Sequence, residues 1–315
     1  MHESAENTPK RAYVDLQVNG YGGVDFNDEN LSPEGLNAAC QLLRKHGVQK
    51  ILATFITEAV PLMCLRMRRL ARLRLLDPLA ADVISGIHIE GPFISPIDGY
   101  RGAHPLDAVC NASVDVAAQL IEAADGLARI VTLAPEADPG ARVTRFLADR
   151  RIVVSAGHTD ASLDQLKAAI DNGLSLFTHL GNGCPMQMPR HNNIIQRALS
   201  LRGKLRFCFI ADDVHIPAFA LGNYLSCAGI ENCLVVTDAI AAAGLGPGRY
   251  RLSRWDIQVG DDFAARSPDK SHLVGSAATM MQNEVVLRER VKLSADDCDR
   301  LLRLNPARVR SQSQA

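Results

Sequence analysis

Arg151-Ile152-Val153-Val154-Ser155-Ala156-Gly157-His158 and, 21 positions on, Leu174-Ser175-Leu176-Phe177-Thr178-His179 decide how this chain is read. Each is a strand-sized apolar run that stops on a histidine. Between them, Ala161 to Asn172 carries Leu163, Leu166, Ala169 and Ile170 at helical spacing, with Gly173 as a stop, which predicts a helix. Strand, helix, strand at this spacing is a βαβ unit. Its two strands are parallel, and both histidines fall at the same C-terminal edge. A single buried histidine is most often a hydrogen-bonded core residue. Two neutral imidazoles in matched places are also what a divalent transition metal needs.

Outward from this unit the same alternation repeats. Tyr13 to Asn19 reads as the first strand, with Asp15, Gln17 and Asn19 sharing one face; three polar residues there suit a strand that lines a site. Ser32 and Pro33 open a helix that Gly47 stops. Ile51 to Ile56 is the second strand, and Pro61 to Leu76 a basic amphipathic helix whose arginines, Arg66 among them, read as a solvated outer face. The third strand, Val83 to Glu90, ends in a carboxylate that must be paired or metal-bound to offset its desolvation; His88 lies one layer deeper on the same face. A long polar loop, Ser95 to Asp107, follows and holds His104. Ala128 to Leu133 is the fourth strand and the two histidine runs are the fifth and sixth. Arg206 to Ile210 is the seventh, with Asp212 and His215 beyond it, and Cys233 to Asp238 the eighth. Eight strands alternating with helices predict a (β/α)8 TIM barrel, whose chemistry sits at the C-terminal ends of the strands.

Composition narrows the function. The 315 residues are 47% apolar, ample for one large core, and a net charge of −1 leaves no electrostatic footprint for nucleic acid. The longest apolar runs are too short to cross a membrane, and Met1 to Ala12 lacks the apolar core of a secretory signal. Eight cysteines without a Cys-x-x-Cys pair read as reduced core thiols of a cytoplasmic protein. The expected organisation is a disordered segment over residues 1–12, a barrel over 13–306 and a C-terminal tail over 307–315.

Taken together, Glu90, His158, His179 and Asp238 resemble the amidohydrolase superfamily, and within it the N-acetylglucosamine-6-phosphate deacetylases. The resemblance runs in order through Asp15-Leu16-Gln17-Val18-Asn19-Gly20, His88-Ile89-Glu90-Gly91-Pro92, Gly102-Ala103-His104-Pro105, Thr132-Leu133-Ala134-Pro135-Glu136, Ser155-Ala156-Gly157-His158-Thr159, Thr178-His179-Leu180, Ile210-Ala211-Asp212, Val236-Thr237-Asp238-Ala239 and Gly275-Ser276-Ala277. It implies metal-dependent hydrolysis of a linear amide, the acetamide of N-acetylglucosamine 6-phosphate, to glucosamine 6-phosphate and acetate. Glu90, His158 and His179 would hold one divalent ion, zinc first, with iron or another divalent ion as substitutes, and leave an open position for a nucleophilic water. Many superfamily members carry His-x-His where Gln17 and Asn19 stand here, and neutral amides are poor ligands for a second transition metal. By the same resemblance Asp238 is the general base and acid, and His104 hydrogen-bonds the carbonyl oxygen. His215 contacts sugar hydroxyls, while Asn182, the Gly183 backbone and Arg190 bind phosphate. Arg190 would arrive from the second subunit of a homodimer.

Three departures from the family pattern bear on expectation. The usual flanking β-sandwich is missing or much reduced, to something like residues 250–263. His191 follows Arg190 in place of an acid. Gly181-Asn182-Gly183 and Asp213 replace the usual residues near the phosphate and sugar sites, which makes deacetylation the firmer part of the reading and the phosphate the weaker. Two alternatives stay open: another amidohydrolase acting on an N-acyl amino acid, a cyclic amide or an aminated ring, and a non-catalytic barrel that binds sugar phosphates.

Overall fold

The computed structural model describes residues 12–267 and 273–312; of the segment expected to be disordered, residues 1–11 lie outside the described residues. Eight parallel strands, β1 (Tyr13–Val18), β2 (Val48–Ile56), β3 (Ile84–Glu90), β4 (Ala128–Leu133), β5 (Val153–Ala156), β6 (Leu174–Phe177), β7 (Arg206–Ile210) and β8 (Cys233–Val236), pair in chain order. The chain past β8 returns to β1 through a parallel bridge between Val18 and Ala239, where the Asn19 N–H donates to the Ala239 carbonyl at 2.7 Å. The sheet is a nearly closed barrel, and each parallel step is made by a helical crossover.

Local chemistry sets the element ends. Ser32 accepts from the Gly35 N–H and Pro33 occupies the first turn of helix Pro33–Lys45. In the crossover between the histidine strands, Ser162 and Gln165 form a capping box, so that helix runs Leu163–Asp171, inside the limits expected for it. The two faces of each strand separate two cores. Ile87, Ile89, Val131, Leu133, Val154, Phe207 and Phe209 turn outward into the main core shared with the helices. Leu16, Leu52, Ile130, Leu176, Cys208 and Leu234 make a smaller cluster that includes Val309.

Val309 belongs to helix Asn305–Gln312, so residues 307–312 of the expected C-terminal tail are packed, while residues 313–315 lie outside the described residues. Asn305 donates to the carbonyls of Ile230 and Cys233, and Arg206, the first residue of β7, donates to Gln312. These contacts close the barrel at the N-terminal end of its strands, opposite the histidines.

An antiparallel sheet of β9 (Gly248–Leu252), β10 (Trp255–Val259) and β11 (Ala265–Arg266) packs Leu252, Ile257 and Val259 with Ile56, Ile240 and Val274. Its β9–β10 turn is pinned by charge. The Ser253 N–H donates to Asp25, Arg66 donates to Ser253 Oγ at 3.0 Å, and Arg254 binds Glu58 and Asp107. Arg66 therefore does not lie on a solvated face; it is 7% exposed because this turn folds over it. Among the described residues no helix is long and apolar enough to cross a membrane.

Candidate active site

At the C-terminal mouth lies a cavity of about 860 Å³. Its floor is a hydrogen-bonded layer whose polarity can be worked out atom by atom. The Leu16 carbonyl can only accept, so His88 donates to it from Nδ1–H at 3.1 Å. Burial pushes the His88 pKa down to about 4. Its Nε2 therefore carries a lone pair, which accepts from Thr132 Oγ1 at 2.7 Å. Thr132 accepts in turn from Thr178, and Thr178 from Ser155, each at 2.7 Å. Thr132 lies on β4 and Thr178 just past the end of β6, so the two meet inside the barrel across β5. The layer fixes the strand ends from which His158 and His179 project.

His158, His179 and Asp238 have φ of +51°, +31° and +53°, a region non-glycine residues rarely occupy. All three side chains turn into the mouth at the cost of that strain. His158 donates from Nδ1–H to the Tyr100 carbonyl at 3.0 Å, so its Nε2 lone pair faces Glu90 Oε1 at 3.1 Å. His179 Nε2 lies 3.0 Å from the same oxygen, and His104 Nε2 lies 3.2 Å from His158 Nε2. Ligand atoms of Glu90, His104 and His158 all fall within 4.8 Å of one another. A lone pair aimed at a carboxylate oxygen needs a proton or a cation between them, and a hydrogen bond that fixes Nδ1–H is how ligating imidazoles are oriented. The donor set of one carboxylate and two imidazoles suits zinc or a similar divalent ion. His104 is 5% exposed. Burial pushes its pKa down to about 3, so it is a neutral imidazole at pH 7.

The carboxylates divide by environment. Burial would raise Glu90, but the imidazoles of His158 and His179 against its Oε1 hold it well below the ordinary carboxylate range. Asp238 is pushed up to about 6, by burial first and the Glu90 charge second. Gln17 Nε2 donates to Glu90 Oε2 and to Asp238 Oδ1, both at 3.1 Å, and Asn19 Nδ2 donates to Asp238 Oδ1 at 2.7 Å. The first-strand amides thus join the site the sequence placed them near.

On the far wall His215 donates from Nδ1 to Asp212 Oδ2 at 2.7 Å, and Ser276 Oγ donates to the same oxygen at 2.8 Å. Burial would raise Asp212, but the His215 charge and hydrogen bonds hold it well below its ordinary value. His215, Asn182 and Gly183 line the cavity, and Asn182 Nδ2 has no protein partner among the described residues. Gly183, at φ +61°, sits so close to His158 that a Cβ there would meet Nδ1 at 2.9 Å, so the loop tolerates only glycine. Arg190 is exposed and does not line its own chain's cavity. Sequence reasoning missed the wall formed by Leu252, Trp255 and Val274 and by Arg101 of the long loop. The one available signal was that Trp255 is the only tryptophan in the chain.

No protein-family model matches the chain. Curated relatives do. An N-acetylglucosamine-6-phosphate deacetylase from Danio rerio is 33% identical over 279 residues, 85% of this chain and 67% of that protein. One from Bacillus subtilis is 30% identical over 298 residues, 94% of this chain and 73% of that protein. An N-acetylgalactosamine-6-phosphate deacetylase from Escherichia coli O157:H7 is 27% identical over 301 residues, 95% of this chain and 77% of that protein. Among solved structures, an aspartate-to-alanine mutant of the N-acetyl-D-glucosamine-6-phosphate deacetylase from Mycobacterium smegmatis, in complex with N-acetyl-D-glucosamine-6-phosphate, superposes with a TM-score of 0.86 at 30% identity. The match covers 96% of this chain and 77% of that one. The Pasteurella multocida enzyme gives a TM-score of 0.85 at 26% identity, over 96% of this chain and 77% of that one. With a mouth built from one carboxylate, paired imidazoles and an opposed aspartate, and with these relatives, the chain belongs to the N-acetylglucosamine-6-phosphate deacetylase family.

Proposed function

We propose that the protein hydrolyses the acetamide of N-acetylglucosamine 6-phosphate to glucosamine 6-phosphate and acetate. The observation that carries this is the convergence of His158 and His179 on one oxygen of Glu90, with Asp238 beside them and anchored through its Oδ1. In this reading Glu90, His158 and His179 hold one divalent ion, zinc first. When bound, the ion supplies Lewis-acid polarisation of the acetamide carbonyl and a lowered pKa for water. Asp238, ionised at pH 7 with a pKa of about 6, accepts the proton of the attacking water and returns it to the departing amine. Neutral His104 donates a hydrogen bond to the carbonyl oxygen as charge develops there. His215, with Nδ1–H fixed by Asp212, turns Nε2 to a sugar hydroxyl.

The phosphate falls to Asn182, whose Nδ2 is free for it, and to the Gly183 backbone. Arg190 of a second subunit joins them, because an arginine fork matches phosphate oxygens and Arg190 stands away from its own cavity. This makes the working unit a homodimer. Eight cysteines, all free, suit a reducing, cytoplasmic setting. Residues 13–312 are read as one barrel domain, with β9–β11 standing for a reduced flanking sheet.

The test is a matched assay of free amine and acetate on protein of measured metal content. It compares N-acetylglucosamine 6-phosphate, its galacto epimer and unphosphorylated N-acetylglucosamine. Equimolar acetate and amine, fastest from the first substrate, is the expected result; ammonia release would favour a deaminase. The Asp238→Asn variant should keep its metal and lose several orders of magnitude in turnover. Near-normal turnover by that variant would sink the mechanism, and wild-type protein that binds these sugars without cleaving any of them would favour the non-catalytic barrel.

A further inference from the structure

Gln17 and Asn19 have no task in the chemistry above, yet both are 1% exposed and both touch its charged groups. Carboxylate oxygens only accept, so the amide atom facing each of them must be the NH2, and this fixes how both amides are turned. Gln17 then uses one hydrogen on Glu90 Oε2 and the other on Asp238 Oδ1, each at 3.1 Å. Asn19 adds a second donor to the same Asp238 oxygen at 2.7 Å. Among the described residues nothing engages Asp238 Oδ2, and Asp238 lines the cavity. The amide oxygens Gln17 Oε1 and Asn19 Oδ1 are left buried without partners. Such an arrangement costs free energy and persists because the opposite ends of the amides are needed where they are.

We infer that Gln17 is a positioning residue that bridges the Glu90 and Asp238 carboxylates, and that with Asn19 it pins Asp238 by Oδ1 so that Oδ2 alone meets the water. The inference deepens the proposed function and rests on Asp238 being its base. The bridge holds two like charges at a fixed separation with N–H groups in place of a cation. The two amides differ in one useful way: Gln17 touches both carboxylates, Asn19 only Asp238.

The experiment uses the metal-loaded full chain and N-acetylglucosamine 6-phosphate. Gln17→Leu removes both N–H donors; Gln17→Met, of nearly the same length and without a charge, removes them too and serves if the leucine variant fails to fold. Either should lower kcat by about 10- to 100-fold with KM unchanged, the scale on which residues that hold catalytic or ligating groups act. By chelator competition either should also weaken metal binding by about 10-fold, because Glu90 loses a partner. Asn19→Ala should lower kcat and leave metal affinity at the wild-type value. In the Asp238→Asn background Gln17→Leu should cost little further kcat, since its effect passes through the missing base. Wild-type kcat in both Gln17 variants, equal metal loss in the Asn19 variant, or a full additive loss in the Asp238→Asn background would each overturn the inference. Asp238→Asn with undiminished turnover would instead sink the proposed function, so the two failures are distinguishable.

Discussion

Replacing Asp15 with asparagine should make the barrel more stable above neutral pH, and the size of the gain follows from where Asp15 sits. The residue is 2% exposed on β1. It accepts from the Thr237 N–H and the Gln17 N–H at 3.2 Å each and from the Thr237 hydroxyl. Burial outweighs these three donors and pushes its pKa up to about 7 from 3.8. An acid whose folded pKa lies above its unfolded value binds its proton more tightly in the native state. Stability therefore falls as pH rises between the two values. The full difference, at about 1.4 kcal/mol per unit, is about 4 kcal/mol. Of this about 1.7 kcal/mol is already lost at pH 5, so the wild type should lose a further ~2.6 kcal/mol between pH 5 and pH 8. The substituted amide keeps an acceptor for both N–H donors, offers its own N–H to Thr237, and carries no charge to desolvate. Urea midpoints of the chelated proteins, measured at half-unit steps from pH 5 to 8, isolate the residue because every other titrating group is common to both. Parallel curves for the two proteins would refute the argument: Asp15 would then be ionised in the fold and its three donors would outweigh burial.

Three further outcomes are expected. Glu90→Gln removes the charge on which both histidines converge, so the variant should bind metal at least about 10-fold more weakly. Added zinc should then raise the melting temperature of the wild type but not of the variant; equal shifts would exclude Glu90 as a ligand. Gly183→Ala places a Cβ 2.9 Å from His158 Nδ1 at a positive φ, so it should displace that ring, weaken metal binding and lower turnover. Gly126→Ala, also at positive φ but with nothing within 4 Å, should cost only the ~1–2 kcal/mol of the backbone strain and leave turnover intact.

Much of the site was legible in the chain. Apolar runs that end abruptly on Glu90, His158, His179 or Asp238 report both the strand and the end that carries the chemistry, because side-chain period and element length are local properties. His88 was placed one layer down by the same two-residue rule, and its contact with Thr132 bears this out. The helix caps at Ser32 and Ser162 are likewise local hydrogen bonds between residues three apart.

What the tertiary structure alone decided involves groups far apart in sequence. Arg66 lies in a basic helix that alone would be wetted on one side, and it is buried because a turn 187 residues later closes over it. The last helix packs against the start of β7 and β8, and no periodicity in that short polar stretch says that a barrel floor awaits it. Trp255 becomes a cavity wall only once β9–β11 folds across the mouth. His104, in a loop without period, is brought beside His158 by the closure of that loop. The sequence determined which residues end each strand, since steric and hydrophobic preferences act within a few residues. Which of those ends share a charge, a proton or a cavity was left to the closing of the barrel, where burial and long-range hydrogen bonds act together.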